Sequence, residues 1–342
     1  MKKLILSFSL FTVAILTANA KFILVNNNAG AIEKFQTAQV AYDSCSVGDT
    51  IYLAPSPNSY GEITIKKRIT LLGVGLKDKT GKILTNFSTL NKITVDTSGN
   101  VVKTSGTIIC GLVVNSVGAY YVFTFTITNA VRNIIVFNCY ISNSAYDLGM
   151  YIGDNNNMVF DNIFANKVTL GKNVNFHNNV LSVGITGGTN CNVANNIFLG
   201  AKPISEFTAS TFTNNIFIST SGAESPLVNS YANNVQGLSD LPTGNLNNMD
   251  ITTVFTESAV GTVIGTALIG LSFTIKTDSP AITYGVDGTE VGVYGNINPW
   301  PKGVVYTRSP GVLPVVTSII VQNQTVAPGA TLKFNLKAKS LK

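Results

Sequence analysis

Val136-Phe-Asn-Cys-Tyr-Ile141, Val159-Phe-Asp-Asn-Ile-Phe164, Phe176-His-Asn-Asn-Val-Leu181, Val193-Ala-Asn-Asn-Ile-Phe198, Phe212-Thr-Asn-Asn-Ile-Phe217 and Tyr231-Ala-Asn-Asn-Val-Gln236 are one phrase written six times. The copies start 23, 17, 17, 19 and 19 residues apart, and a weaker seventh, Ile108-Ile-Cys-Gly-Leu-Val113, precedes them by 28. A repeat of about 20 residues calls for stacked supersecondary units rather than one globular core.

The residue types say what the unit is. Each copy is a run of β-branched or aromatic residues, then a polar pair, then another apolar pair. Such runs favour strands, and Asn tolerates the left-handed backbone of a sharp bend. Aligned copies put Asn162, Asn179, Asn196, Asn215 and Asn234 in one column, with Cys139 in that place in the first copy. A second column holds Asn138, Asp161, Asn178, Asn195, Asn214 and Asn233, and a third Asn133, Asn156, Asn173 and Asn190. Identical amides stacked about 4.8 Å apart can hydrogen-bond along the stack, which satisfies polar groups at a bend. The reading is an all-β solenoid, a parallel β-helix with a structural asparagine ladder. Leucine-rich repeats have a similar period but need a leucine consensus and helical segments, which are missing.

Met1–Ala20 reads as an export signal: Lys2 and Lys3, the apolar run Leu4–Leu16, then Ala18-Asn19-Ala20 as a small-x-small cleavage site. The apolar run is too short to span a bilayer comfortably, and no later segment is long enough. No cysteine follows the cleavage point, so no lipid anchor is indicated. The expected domains are the signal peptide over 1–20, the β-helix over 21–297, and a linker with a C-terminal hairpin over 298–342. In that tail Leu332, Phe334, Leu336 and Ala338 alternate with Lys333, Asn335, Lys337 and Lys339, a half-buried strand with a lysine face. The hairpin is read as a cap on the second end, with a sorting tail as the alternative.

Charge argues against nucleic acid as a partner. Charged residues are 12% of the chain, and the formal charge of +6 is concentrated outside the body. Lys21–Glu290 carries 15 basic against 17 acidic residues, so no basic stripe is in prospect. The four cysteines, Cys45, Cys110, Cys139 and Cys191, read as small interior apolar residues, although Cys110 and Cys139 fall in successive coils at phases where a bridge is conceivable. With His177 the single histidine and no Cys/His spacing, a zinc site is not expected.

Ala29–Tyr42 carries apolar residues at helical spacing (Ile32, Phe35, Ala38, Val40, Ala41), the amphipathic helix that would close the first end of a stack. Behind it come Gly48-Asp-Thr-Ile-x-Leu, Ser59-Tyr-Gly, Ile63-x-Ile, Lys67 and Ile69-Thr-Leu-x-Gly73. This opening resembles that of the pectate-lyase-like right-handed parallel β-helix superfamily, and the passage from Asp278-Ser-Pro-Ala-Ile282 to Gly295 resembles the end of the last coil in secreted bacterial members. The resemblance covers roughly 29–297 and implies a right-handed winding with coils continuing past Gln236 to Ile275 or beyond. For activity it implies little, because the superfamily includes lyases, hydrolases, adhesins and inert surface proteins.

Lyases of that superfamily use a Lys or Arg base, with cations such as Ca²⁺ against the substrate carboxylate; hydrolases need paired carboxylates. Arg132 and Lys172 share a phase two coils apart, about 10 Å, with Asp154 beside the column, and these three are the candidate catalytic set. The competing reading, which the residues favour, is a set of solvated surface charges. His177 reads as exposed decoration. Asp161 reads as a stacked member of its column rather than a Ca²⁺ ligand with Asp154, since one or two carboxylates make a poor site. No cofactor is expected, with Ca²⁺ relevant only to a lyase. A binder of ice or another crystal surface would want a flat, regular Thr column, and the aligned copies show none. The expectation is a secreted or surface β-helix protein, a monomer, with a carbohydrate-associated binding or structural role and no evident catalytic site. The alternative is a polysaccharide lyase acting on uronate-containing glycans by β-elimination.

Overall fold

The computed structural model describes residues 20–77, 82–96, 101–116, 123–125, 132–143, 148–152, 156–200, 203–218, 230–232, 234–236, 244–247, 249–250, 253–260, 265–295, 299–300, 315–321 and 334–339. The chain winds into a right-handed parallel β-helix of three sheets. The first has ten strands in chain order from Phe22–Val25 to Ser230–Ala232, the second eight from Thr89–Leu90 to Val235–Gln236, and the third seven from Glu62–Ile65 to Ile204–Ser205. Every pairing within them is parallel, with one register shift, between Leu148 and Met150 on the third sheet; on the first sheet Val136, Val159, Phe176, Val193 and Phe212 lie over one another. The six copies are therefore one coil position, the corner from the first sheet to the second.

The interior is a single column of stacked apolar side chains. Val136, Val159, Phe176, Val193 and Phe212 come from the first sheet, Ile141, Phe164, Leu181, Phe198 and Phe217 from the second, and Val168, Ile185 and Ile204 from the third. Two of the asparagine columns make the bends. Asn138, Asp161, Asn178, Asn195 and Asn214 have φ of 54–56° at the first-to-second corner, and Asn133, Asn156, Asn173 and Asn190 have φ of 55–57° at the third-to-first corner. Both columns occupy the left-handed region, which costs most non-glycine residues about 1–2 kcal/mol and Asn least.

The remaining column is the ladder. In Asn196, Oδ1 accepts from the Asn179 backbone N at 2.9 Å and from its Nδ2 at 3.1 Å, while Nδ2 donates to Phe176 O, Ala194 O and Asn215 Oδ1, all at 3.0 Å. The same pattern joins Asn162 to Asn179 and Asn215 to Asn234. At one end Cys139 N donates to Asn162 Oδ1; at the other Asn245, outside the repeats, accepts from Asn234 N and Nδ2 at 2.8 and 2.9 Å.

The first end is closed by a helix, but a shorter one than the spacing predicts. Only Ala38–Ser44 is helical, burying Ala38, Ala41 and Tyr42. Ile32 is 97% exposed and Phe35 instead bridges to Val25, so the apparent helical face upstream of Ala38 is not one, and within the helix Val40 is 54% exposed. The helix completes the open edge of the third sheet with side chains: Gln39 Oε1 accepts from Thr64 N, and the Tyr42 hydroxyl from Lys66 N. These supply acceptors that a further coil would have provided.

The second end also departs from expectation. Among the described residues the ladder strands stop at Val235–Gln236, and 253–260 and 265–295 add no coil. They fold back over the outer face of the second sheet. Outward-facing Val113, Tyr140, Ile163, Val180, Ile197 and Ile216 are buried in a second apolar cluster with Val254, Phe273, Val291, Val293 and Trp300. Hence the apolar pair that ends the first five phrases: one residue points in, the other lies under this layer. At the C-terminus Val315–Val321 pairs antiparallel with Phe334–Lys339, as the tail hairpin predicted.

Candidate functional site

The third sheet carries a feature that an alignment centred on the asparagine corner does not reveal. Register pairs Thr64 with Thr94, Thr94 with Thr124, Thr124 with Tyr151, Tyr151 with Thr169, Thr169 with Thr186 and Thr186 with Ser205. The column runs through all seven strands of the sheet. Along a strand the side chains alternate: Ile63, Ile65, Ile93, Val95, Val168, Leu170, Ile185 and Ile204 are buried, and Thr64, Thr94, Thr169, Thr186 and Ser205 between them are partly exposed. Ser205 Oγ donates to Thr186 Oγ1 at 2.9 Å. The aligned asparagine-corner phrases still show no Thr column; this one lies outside them and is broken by Tyr151. Its neighbours are charged, with Glu62 opposite Lys92 and Lys66 paired to Asp96 at 3.3 Å, so no described rung offers the two threonines that a planar crystal-binding face would use.

The adjoining corner continues the polar surface. Thr189 and Thr208 hydroxyls are 3.3 Å apart, and Asn190 Nδ2 donates to Asn173 Oδ1 at 2.6 Å. Lys172, Thr189 and Thr208 follow one another in parallel bridges, each one residue before a left-handed turn residue (Asn173, Asn190, Ala209). Arg132 stands at the same phase before Asn133, so both basic candidates lie at this corner and both are exposed. Asp154 and Asn155 lie outside the described residues. Among those that are described, no cluster of three or more His, Cys, Asp or Glu is placed to hold a metal ion.

Around the first corner the structure departs from expectation in two respects. His177 is half-buried rather than exposed, stacked on Phe160 at 5.1 Å and 2°, and Phe160 stacks on Phe137 at 5.1 Å and 3°. Burial pulls its pKa below the ordinary value. Its Nδ1 lies 2.9 Å from Asn178 Oδ1, and because Asn178 Nδ2 donates to Val293 O and Gly295 O, that oxygen accepts and Nδ1 carries the proton. Asn178, Asn195 and Asn214 are also more than turn residues. Asn195 Nδ2 donates to Gly292 O, and Asn214 takes Val286 N on its side chain and Gly292 N on its carbonyl. They clamp the backbone of the returning segment.

All four cysteines are buried and none is bridged. Burial raises the Cys110 thiol and pushes Cys139 up to about 12, so neither supplies a thiolate nucleophile. No helix among the described residues is long and apolar enough to cross a membrane. No protein-family model matches the chain, and no curated protein does.

Proposed function

We propose that this is an exported, non-catalytic β-helical rod that binds extended polysaccharide along the outer face of its third sheet. The reading is carried by the register column whose described side chains, Thr64 and Thr94 towards one end and Thr169, Thr186 and Ser205 towards the other, present partly exposed hydroxyls. Its rungs recur about every 4.8 Å, and each hydroxyl both donates and accepts. A polymer bearing hydroxyls at short, regular intervals complements such a line; a nucleic acid or an apolar ligand does not. The amide and hydroxyl pairs at Asn173–Asn190 and Thr189–Thr208 widen the polar track.

The test is affinity electrophoresis of the chain from Lys21 against neutral and uronate-containing polymers. Thr169→Val with Thr186→Val removes two hydroxyls at nearly constant volume. At about 0.5–1.5 kcal/mol per hydrogen bond, affinity should drop roughly tenfold while the melting curve holds. Retention by no polymer, or unchanged retention in the double variant, removes the proposal and leaves a structural rod.

The second reading is a uronate lyase built on Arg132, Lys172 and Asp154, supported by the shared phase of the two basic residues at one exposed corner. Incubation with pectate and alginate, with and without Ca²⁺, while absorbance near 235 nm is followed, separates the two. The binding reading expects no rise. A rise lost in Arg132→Ala or Lys172→Ala would replace it.

A further inference from the structure

The carboxylate of Asp49 is nearly inaccessible, 2% exposed, yet it serves no asparagine ladder, sheet edge or surface ion pair. Its Oδ1 accepts from the backbone nitrogen of Lys21 at 2.7 Å, and its Oδ2 from Ser46 N at 2.7 Å. The same region fixes Lys21 from its other side, since Thr50 N donates to Lys21 O at 2.8 Å and Phe22 opens the first strand by pairing with Thr50. Ala20 and Lys21 are both exposed, so the bond between them is open to a protease while the nitrogen after it is already seated.

We propose that Asp49 is the receptor for the new amino terminus made when the leader is removed after Ala20. This rests on the reading of Met1–Ala20 as an export leader. Cleavage by a leader peptidase adds one water across the amide: Ala20 leaves as a carboxylate, and the Lys21 nitrogen, keeping its hydrogen and gaining two, becomes an α-ammonium. A backbone N–H on a buried carboxylate thus becomes an ammonium on it, without movement of the backbone. The bond, already charge-assisted through its acceptor, gains a charged donor as well. The first coil tightens upon processing: strand Phe22–Val25 is locked to Thr50–Leu53, and through Ser46 to the segment that follows the capping helix. The charged groups packed around the pair are few. Arg68 lies beside Gly48, Lys67 donates to Cys45 O at 2.6 Å, and the buried Cys45 thiol feels the Asp49 charge. The side chain of Lys21 itself is exposed.

The experiment compares the chain beginning at Lys21, released from a fusion by a site-specific protease, with the same chain preceded by Gly-Ser-Gly-Ser. At pH 6.5 the Lys21-start protein should melt about 2–4 °C higher. An amine held by a carboxylate titrates above its free value of about 7.7–8.0, so the advantage is complete below that value and fades as pH rises through the raised one. By pH 10 the two forms should melt together. Asp49→Asn should erase the difference at every pH. Should that variant not fold, NMR titration of the α-amine in the unaltered protein decides, with a pKa at least one unit above the free value expected. An α-amine titrating at its free value, or equal melting of the two forms at pH 6.5, overturns the ion pair. Intact mass of the exported protein tests the leader reading separately: a mature chain starting elsewhere than Lys21 overturns the processing step even if the charge test succeeds.

Discussion

The two adjacent asparagines of the repeated corner, such as Asn195 and Asn196, do unlike jobs, and the difference is measurable. Asn196 completes five hydrogen bonds inside the rod, all between 2.9 and 3.1 Å. Replacing it with Ala leaves the buried N–H of Asn179 without its acceptor and takes one donor from each of the carbonyls of Phe176 and Ala194, the latter keeping the Asn178 N–H at 3.1 Å. At about 1–3 kcal/mol for the buried orphan and about 0.5–1.5 kcal/mol for each further bond lost, the loss should be about 3 kcal/mol or more. Asn195 next to it has φ of 56° and one side-chain bond, to Gly292 O at 3.2 Å. Asn195→Ala should therefore cost about 1–2 kcal/mol, mostly for an alanine in the left-handed region. Urea unfolding of the two variants gives the comparison, and equal losses would contradict the division of labour. Both columns were visible in the sequence because identical residues recur at a fixed phase. What spacing alone does not give is which of them stacks and which bends, since Asn serves either purpose.

Among elements, the returning segment is held by backbone recognition and by small residues where the approach is close. Gly292 has φ of 79°, and a Cβ there would lie 2.9 Å from Ile216 Cδ1 and 3.4 Å from Ile197 Cγ1. Gly292→Ala combines a strained backbone with pressure on two side chains of the second sheet, so the segment should loosen while the rod beneath stays intact. Hydrogen exchange should report this as faster exchange at Val291–Gly295 with unchanged protection at Phe176, Val193 and Phe212. Uniform acceleration along the chain would mean that the segment is part of the rod's folding unit rather than a layer upon it. This element was the hardest to read from sequence. Asp278–Gly295 has the Gly and Asp spacing of a coil corner, and a strand crossing outside a sheet needs turns of the same kind. The hydroxyl column was hidden for another reason. Thr169 and Thr186 both lie ten residues after their phrases begin, but Ser205 lies twelve after, Tyr151 fifteen after, and Thr64 and Thr94 precede the repeats, so an alignment on the asparagine corner does not bring the column together. The capping helix was placed but overextended, because Ile32 and Val40 satisfy a helical period without sharing a buried face.

At the scale of the molecule, a rod of near-identical coils has no intrinsic length, but the returning segment imposes one. It runs against the direction of stacking, meeting Asn214 at Val286, Asn195 at Gly292, and Asn178 at Val293 and Gly295, after which Trp300 Nε1 donates to Asn178 O at 2.8 Å. Consider removal of residues 176–192, one full coil, which joins Asn175 to Val193 in unbroken register. The rod should survive, because a solenoid is stabilised by nearest-neighbour interfaces and the ladder can pass from Asn162 to Asn196. The segment should not dock fully. The rung below Asn195 would then be that of Asp161, which has the same left-handed turn but a carboxylate in place of the amide. An ionised carboxylate only accepts, so it would face the carbonyls of Val293 and Gly295 with no hydrogen to offer. Trp300, the single tryptophan and 2% exposed, reports the outcome directly. The shortened protein should show red-shifted emission and ready quenching by acrylamide with its β-sheet circular dichroism retained. Adding Asp161→Asn to the deletion should restore the donor, return the emission to the blue and protect the indole again. Failure of that second change to restore the indole's burial, in a protein still folded, would mean that apolar contact alone seats the segment and that the asparagines do not set its register.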